Sequence, residues 1–314
     1  MSSESTDIEY NGKMRFVKPE TEGPLAFYGM PSLSNIWNIS ETVKQTKALF
    51  QLAASQETKD IILHDARKRE DSLSYKETGF CLMPLESEVK DWAQAETMGS
   101  EENLKYQEEL RGVIRKLHPT VKRIEFFSFM TRGGGASNPP ASNGPHLDVN
   151  QDRDRADAFR RENEKNPEET EEKEEDKFAG MDMMLGLWQP LQTKNPVYDH
   201  PLVFIDASTF RPEEEVAQET LFTDFVKEES NDKDDGESKL ETISRQVVNL
   251  NSLPKFHPDQ KWYYYHEQTH KEVTVFRHWT KDEYLCNMHG SVDLELPEGM
   301  ETRSSIETRA NLFF

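Results

Sequence analysis

A chain of 314 residues with 38 Lys and Arg against 59 Asp and Glu carries a formal net charge of −21, which excludes a broad nucleic-acid footprint because that requires clustered cations. Hydrophobic residues make up 34% and aromatic residues 10%, enough bulk for a substantial core with solvated insertions around it. Cys81 and Cys286 are too few for a disulfide framework, the amino terminus has no apolar leader, and no apolar run reaches the ~18 residues of a membrane span, so a cytoplasmic protein without membrane attachment is expected.

Residues 1–60 mix turn signals (PETEGPLAFYGMPS) with a helix over SETVKQTKALFQLAAS, where Ser40 caps and Val43, Leu49 and Leu52 share a face. KDIILHDARK has the pattern of a strand, and SLSYKETGFCLMPL that of strand and turn around Gly79. ENLKYQEELRGVIRKLH predicts an amphipathic helix with Leu104, Leu110, Ile114 and Leu117 as its apolar stripe, ended at Pro119. From VKRIEFFSFMTR onward the pattern changes to short aromatic and β-branched runs separated by turns: MLGLWQPL, HPLVFIDAST, RQVVNL, KWYYYHE, EVTVFRHW, MHGSVDLEL and SSIETRANLFF. The expectation is one domain over 1–314, mainly β with flanking helices, in which an α/β region over 1–120 packs on a jelly-roll core over 121–314. Two acidic inserts, 153–177 and 227–239, hold few core-forming side chains and are expected to be solvated loops. Trp262 to Tyr265 should alternate between core and surface along one strand.

In SNGPHLDVNQD, His146 and Asp148 stand two residues apart, so in an extended segment both side chains leave one face and can meet a single metal ion. A 2-His-1-carboxylate site needs a further imidazole, and the downstream candidates are His200, His257, His266, His270, His278 and His289. Near the end of the chain Arg303, Ser305, Glu307 and Arg309 share one parity while Ile306 takes the other. Arg303 with Ser305 can therefore clamp the distal carboxylate of a keto acid, with Arg309 as the alternative cation. That clamp lies one strand beyond His289 and favours it as the third ligand, with His278 second; His257, His266 and His270 sit in polar or turn-like contexts. Asp148-x-Asn150-x-Asp152 also starts like a calcium loop, but Arg153 and Phe159 occupy the positions that need Gly and Glu. RGGGASNPPASNG lacks the Gly-Lys-Ser/Thr ending of a phosphate cradle and is taken as a flap leading into the metal strand.

In order along the chain, HLDVNQD, LWQPLQTKNPVYDHPLVFIDAST, KWYYYHEQTHKEVTVF and RSSIETR resemble successive motifs of a fungal and bacterial hydroxylase/desaturase family of non-heme Fe(II)/2-oxoglutarate oxygenases. This family includes gibberellin desaturase, the cephem methoxylase accessory subunit and aziridine-forming oxygenases. HDARKREDSLSYKETGFCL is similar to its D-x-R and G-F elements, so the resemblance spans roughly residues 60–314. It implies a double-stranded β-helix of cupin-like type, Fe(II) held by His146, Asp148 and His289, and 2-oxoglutarate bound by Arg303 and Ser305. It further implies dioxygen and a small-molecule substrate, a secondary metabolite or amino-acid derivative, whose C–H bond is hydroxylated, desaturated or closed into a ring. One departure is Gln189, where the family shows the arginine of W-R-P-L. That departure keeps open an alternative, a non-catalytic accessory or scaffold member that binds a partner protein through the acidic inserts.

Overall fold

The computed structural model of the chain describes residues 9–21, 25–28, 54–69, 73–133, 144–147, 180–226, 245–281 and 286–314. Two five-stranded sheets face each other. The first has the order β1 (Glu9–Val17), β3 (Gln56–Asp65), β10 (Trp262–Tyr264), β7 (Leu202–Ile205), β12 (His289–Ser291). The second has the order β4 (Phe80–Pro84), β11 (Glu272–Thr280), β6 (Met183–Pro190), β13 (Ser304–Phe313), β5 (Arg123–Gly133). A three-stranded ribbon of β2 (Leu25–Tyr28), β8 (Val216–Val226) and β9 (Arg245–Pro254) lies beside them. Most neighbours are antiparallel, β10 running parallel to β3, which is the pairing of a jelly roll.

The period-2 alternation of the strands sorts side chains between four clusters among the described residues, the smallest being Met181, Met184, Trp279 and Phe313. Between the sheets, Phe80, Trp188, Phe204, Tyr263 and Phe276 pack together, with the Phe80 and Phe204 rings stacked at 5.3 Å. On the outer face of the second sheet, Leu185, Leu187, Val275, Ile306, Ala310 and Leu312 meet the long helix Glu101–Leu117. Met14, Phe16, Leu63, Val203, Ile205, Trp262 and Tyr264 form the third cluster on the outer face of the first sheet.

The long helix starts where the Ser100 side chain accepts the Asn103 N–H at 3.0 Å, and acidic Glu101 and Glu102 and basic Arg115 and Lys116 complement its dipole at either end. Its buried stripe is Tyr106, Leu110, Val113 and Ile114, at the spacing i, i+4, i+7, i+8. Leu104, expected on that stripe, is 54% exposed, because a step of two residues from Tyr106 turns it most of the way to the far side. Trp262 to Tyr265 are also a correction: all four are buried, Trp262 and Tyr264 in the outer cluster and Tyr263 and Tyr265 in the inner one. β10 lies at the centre of its sheet with packing on both faces, so no solvent face remains. The segment before Gly79 is a helical turn, Tyr75–Thr78, ended by Gly79 at φ 85°, and extended structure begins only at Phe80. The helix expected from Ser40, apart from Ala54 and Ser55, lies outside the described residues, as do residues 134–143 of the flap expected over 132–144, both acidic inserts and Asp148.

Candidate metal centre and carboxylate clamp

His146 and His289 are brought together by the backbone. The short segment Gly144–Leu147 pairs antiparallel with the start of β12, His146 N–H donating to His289 O at 2.9 Å and His289 N–H to His146 O at 3.1 Å. The two imidazoles consequently lie side by side, ring centroids 4.8 Å apart. Nδ1 of His146 faces the carbonyl oxygen of Gly144 at 2.9 Å, and Nδ1 of His289 faces that of Asn287 at 3.1 Å. A carbonyl only accepts, so each Nδ1 carries a proton, and the neutral ring then offers Nε2, the tautomer that a metal-ligating histidine fixed by a backbone partner adopts.

A second imidazole approaches His289 from the facing sheet. The register of β11 against β6 shifts between Arg277 and Trp279, and the residue at that bulge is His278. Bulges re-aim side chains, and this one turns His278 fully inward, its ring 4.8 Å from that of His289 and perpendicular to it. Gly186 opposite makes the room: a Cβ there would stand 2.3 Å from Phe276 Cζ and 2.5 Å from His278 Nε2. Among the described residues, His278, His289 and Glu307 offer ligand atoms all within 4.8 Å of one another.

Arg303 and Ser305 precede and enter β13. Ile306 packs in the cluster under the long helix, and Arg303 and Ser305 take the opposite parity, as the sequence predicts. Arg303 is 6% exposed; its Nε donates to Ser305 Oγ at 3.3 Å, one terminal nitrogen to the His200 carbonyl at 2.6 Å, and its guanidinium lies 5.3 Å from the Trp188 ring. Burial, then the nearby charge of Arg132, pull its pKa down to about 10 against the opposing pull of Glu307 and Asp199. No described carboxylate forms an ion pair with it. Arg309 differs: it lies 3.7 Å from Glu307, which also faces Arg132 at 3.7 Å.

Gln189 is fully buried but faces away from the interior. Its Oε1 accepts the Tyr106 hydroxyl at 2.9 Å, and its Nε2 donates to the carbonyls of His270 at 2.6 Å and Leu85 at 3.2 Å. It braces the long helix to the sheet, while its neighbour Trp188 takes the inner face. His257 is engaged by Arg211 at 2.8 Å and His266 by the Tyr264 hydroxyl at 3.2 Å, both half-exposed and structural. The approach of Glu307 to His278 is not legible in the sequence, because a bulge that shifts register by one residue leaves no mark in hydrophobic periodicity.

The fold is that of a double-stranded β-helix. Solved structures of an iron and alpha-ketoglutarate-dependent endoperoxidase, NvfI, superpose with a TM-score of 0.64 at 16% identity, covering 97% of this chain and 98% of that one. The same enzyme in a different conformation gives 0.65 at 16% identity over 98% of both chains. These likenesses establish the fold, the jelly roll that the sequence predicts. Residues 14–313 match the family model described as oxidoreductase/YMDC permease-like domain, and the chain belongs to that family. No curated protein matches it. Among the described residues no helix is long and apolar enough to cross a membrane.

Proposed function

We propose that this chain is an Fe(II)- and 2-oxoglutarate-dependent oxygenase that oxidises a C–H bond of a small molecule, with His146, Asp148 and His289 holding the metal and Arg303 with Ser305 gripping the keto acid. The observation that carries the reading is the Arg303 guanidinium. A cation buried this deeply, without an ion-paired carboxylate among the described residues, is unfavourable unless a ligand supplies the anion, and a planar fork with its edges fixed suits a carboxylate. The donor set fits Fe(II): two imidazoles with Nδ1 tied to carbonyls present Nε2 together, and Asp148 follows His146 at the spacing that returns a side chain to the same face. Bound iron with 2-oxoglutarate supplies an oxidant from dioxygen as the keto acid is converted to succinate and carbon dioxide. The protein's own contribution is placement. Phe204, Phe276 and Trp188 wall the site with apolar surface that keeps water out, and Arg303 and Ser305 fix the far end of the keto acid. Hydroxylation, desaturation and ring closure all fit this arrangement.

The test is anaerobic titration of the protein with Fe(II) and 2-oxoglutarate. A visible metal-to-ligand charge-transfer band is expected, and its absence from folded, iron-loaded protein sinks the proposal. The scaffold alternative loses its motive, since Gln189 serves the helix contact and lies off the inner wall. A second ligand set, His278, His289 and Glu307, is favoured by the mutual approach of their donor atoms. Iron content separates the two: His146→Ala loses the metal in the first, His278→Ala in the second.

A further inference from the structure

The motif LQTKNPVYDHP between β6 and β7 closes on the short segment that carries Arg303. Leu191 N–H donates to Ser304 O at 2.7 Å, and Gln192 Oε1 accepts the Ser304 N–H at 3.2 Å. Asn195 Nδ2 donates to the Glu301 carbonyl at 3.1 Å while its Oδ1 accepts the Glu301 N–H at 2.8 Å. Asp199, 5% exposed, uses both carboxylate oxygens: Oδ1 accepts the Arg303 N–H at 2.8 Å and Oδ2 accepts the Thr302 hydroxyl. His200 then presents its carbonyl to the Arg303 guanidinium at 2.6 Å.

That last bond demands an unusual backbone. His200 holds φ at 45°, a left-handed conformation that residues other than glycine rarely take, and it does so directly before Pro201, which restricts it further. Strain of this kind persists where the surroundings over-determine it and recurs at ligand clamps. Here the strained residue and the buried carboxylate beside it converge on one arginine, fixing its main chain through Asp199 and its fork through His200. With Nε tied to Ser305 and a terminal nitrogen tied to His200, the guanidinium plane cannot swing, which is the condition for two-point capture of a carboxylate.

We infer that Asp199 and His200 are positioning residues for Arg303, and that the bracket from Asn195 to Pro201 sets selectivity for a keto acid bearing a distal carboxylate. The inference rests on reading Arg303 as the clamp. The experiment measures binding, without turnover, of two probes to the anaerobic iron-loaded protein by calorimetry: 2-oxoglutarate and 2-oxopentanoate, which lacks the distal carboxylate. Asp199→Asn should lower the affinity ratio between them by about tenfold with iron content unchanged, and Asn195→Ala should lower it by about threefold. His200→Gly keeps the carbonyl and relieves the strain, so it should preserve the ratio and leave thermal stability no lower. General loosening of the fold would weaken both probes alike and leave the ratio in place. If Arg303→Ala leaves the ratio unchanged, the clamp reading itself falls and the bracket falls with it. If Arg303→Ala collapses the ratio while Asp199→Asn and Asn195→Ala keep it, the clamp stands and the bracket is wrong. Should Asp199→Asn not fold, the ratio in Asn195→Ala decides alone.

Discussion

The two faces of β13 divide stability from chemistry within ten residues. Outward, Ile306, Ala310 and Leu312 are fully buried against the sheet and long helix; inward, Ser305, Glu307 and Arg309 carry polar and charged groups toward the side on which His278 and His289 lie. The outer face holds the strand so firmly that the inner face can keep a desolvated cation beside it. On the inner face Arg303 is held by neutral partners alone among the described residues, the Ser305 hydroxyl, the His200 carbonyl and the Trp188 ring, which offset less of the cost of its burial than an anion would.

The comparison breaks most completely on the inner face. His289→Ala should lower iron-dependent succinate formation at least about hundredfold while the unfolding transition in urea stays within about 1 kcal/mol of the parent. The outer face should answer in the opposite way: Ile306→Ala removes a fully buried side chain and should lose about 2–5 kcal/mol in urea unfolding, with 2-oxoglutarate affinity retained below the transition. Gly186→Ala joins the two responses, because the added carbon would crowd Phe276 and His278 together. A destabilisation of about 1–3 kcal/mol is expected, accompanied by a change in the charge-transfer band that Ile306→Ala does not cause.

A smaller effect comes from the far end of the long helix, where His118 pairs with the Tyr75 hydroxyl at 2.9 Å. Burial, and then the Arg277 charge, lower its pKa from 6.5 to about 4. The unfolded chain then binds the proton more readily than the folded one, so stability should decline as pH falls from 6.5 to about 4 and level off below that. Thermal unfolding across this window should show a shallower decline in His118→Gln. Smallest of all, Leu104→Ala on the exposed side of the same helix should stay within about 0.5 kcal/mol of the parent.

What the sequence revealed follows the range of each interaction. The parity of β13 rests on local alternation, and β5, β6, β11 and β13 show as strands through short aromatic and β-branched runs, both of which a single sequence displays. β1 escaped because its alternating buried positions are Gly12, Met14 and Phe16, and glycine and flanking charges hide that pattern. His289 stood out through its distance from Arg303, whereas Glu307 was visible only as a companion of Arg309. Asp199 gave no signal, since its partners Thr302 and Arg303 lie about a hundred residues away and nothing in a loop's composition names what it will bind. Gln189 showed the reverse error: a residue beside the pocket in sequence belongs to the other face of the sheet, and only strand alternation separates them.

The placement of β13 has a consequence for self-association. It is the last strand in chain order, yet it lies between β6 and β5, with β6 at the middle of its sheet. Without β13, both neighbours present open hydrogen-bonding edges, which are templates for pairing with another chain. A chain cut ahead of Ser304 is therefore expected to associate with its own kind through those two edges.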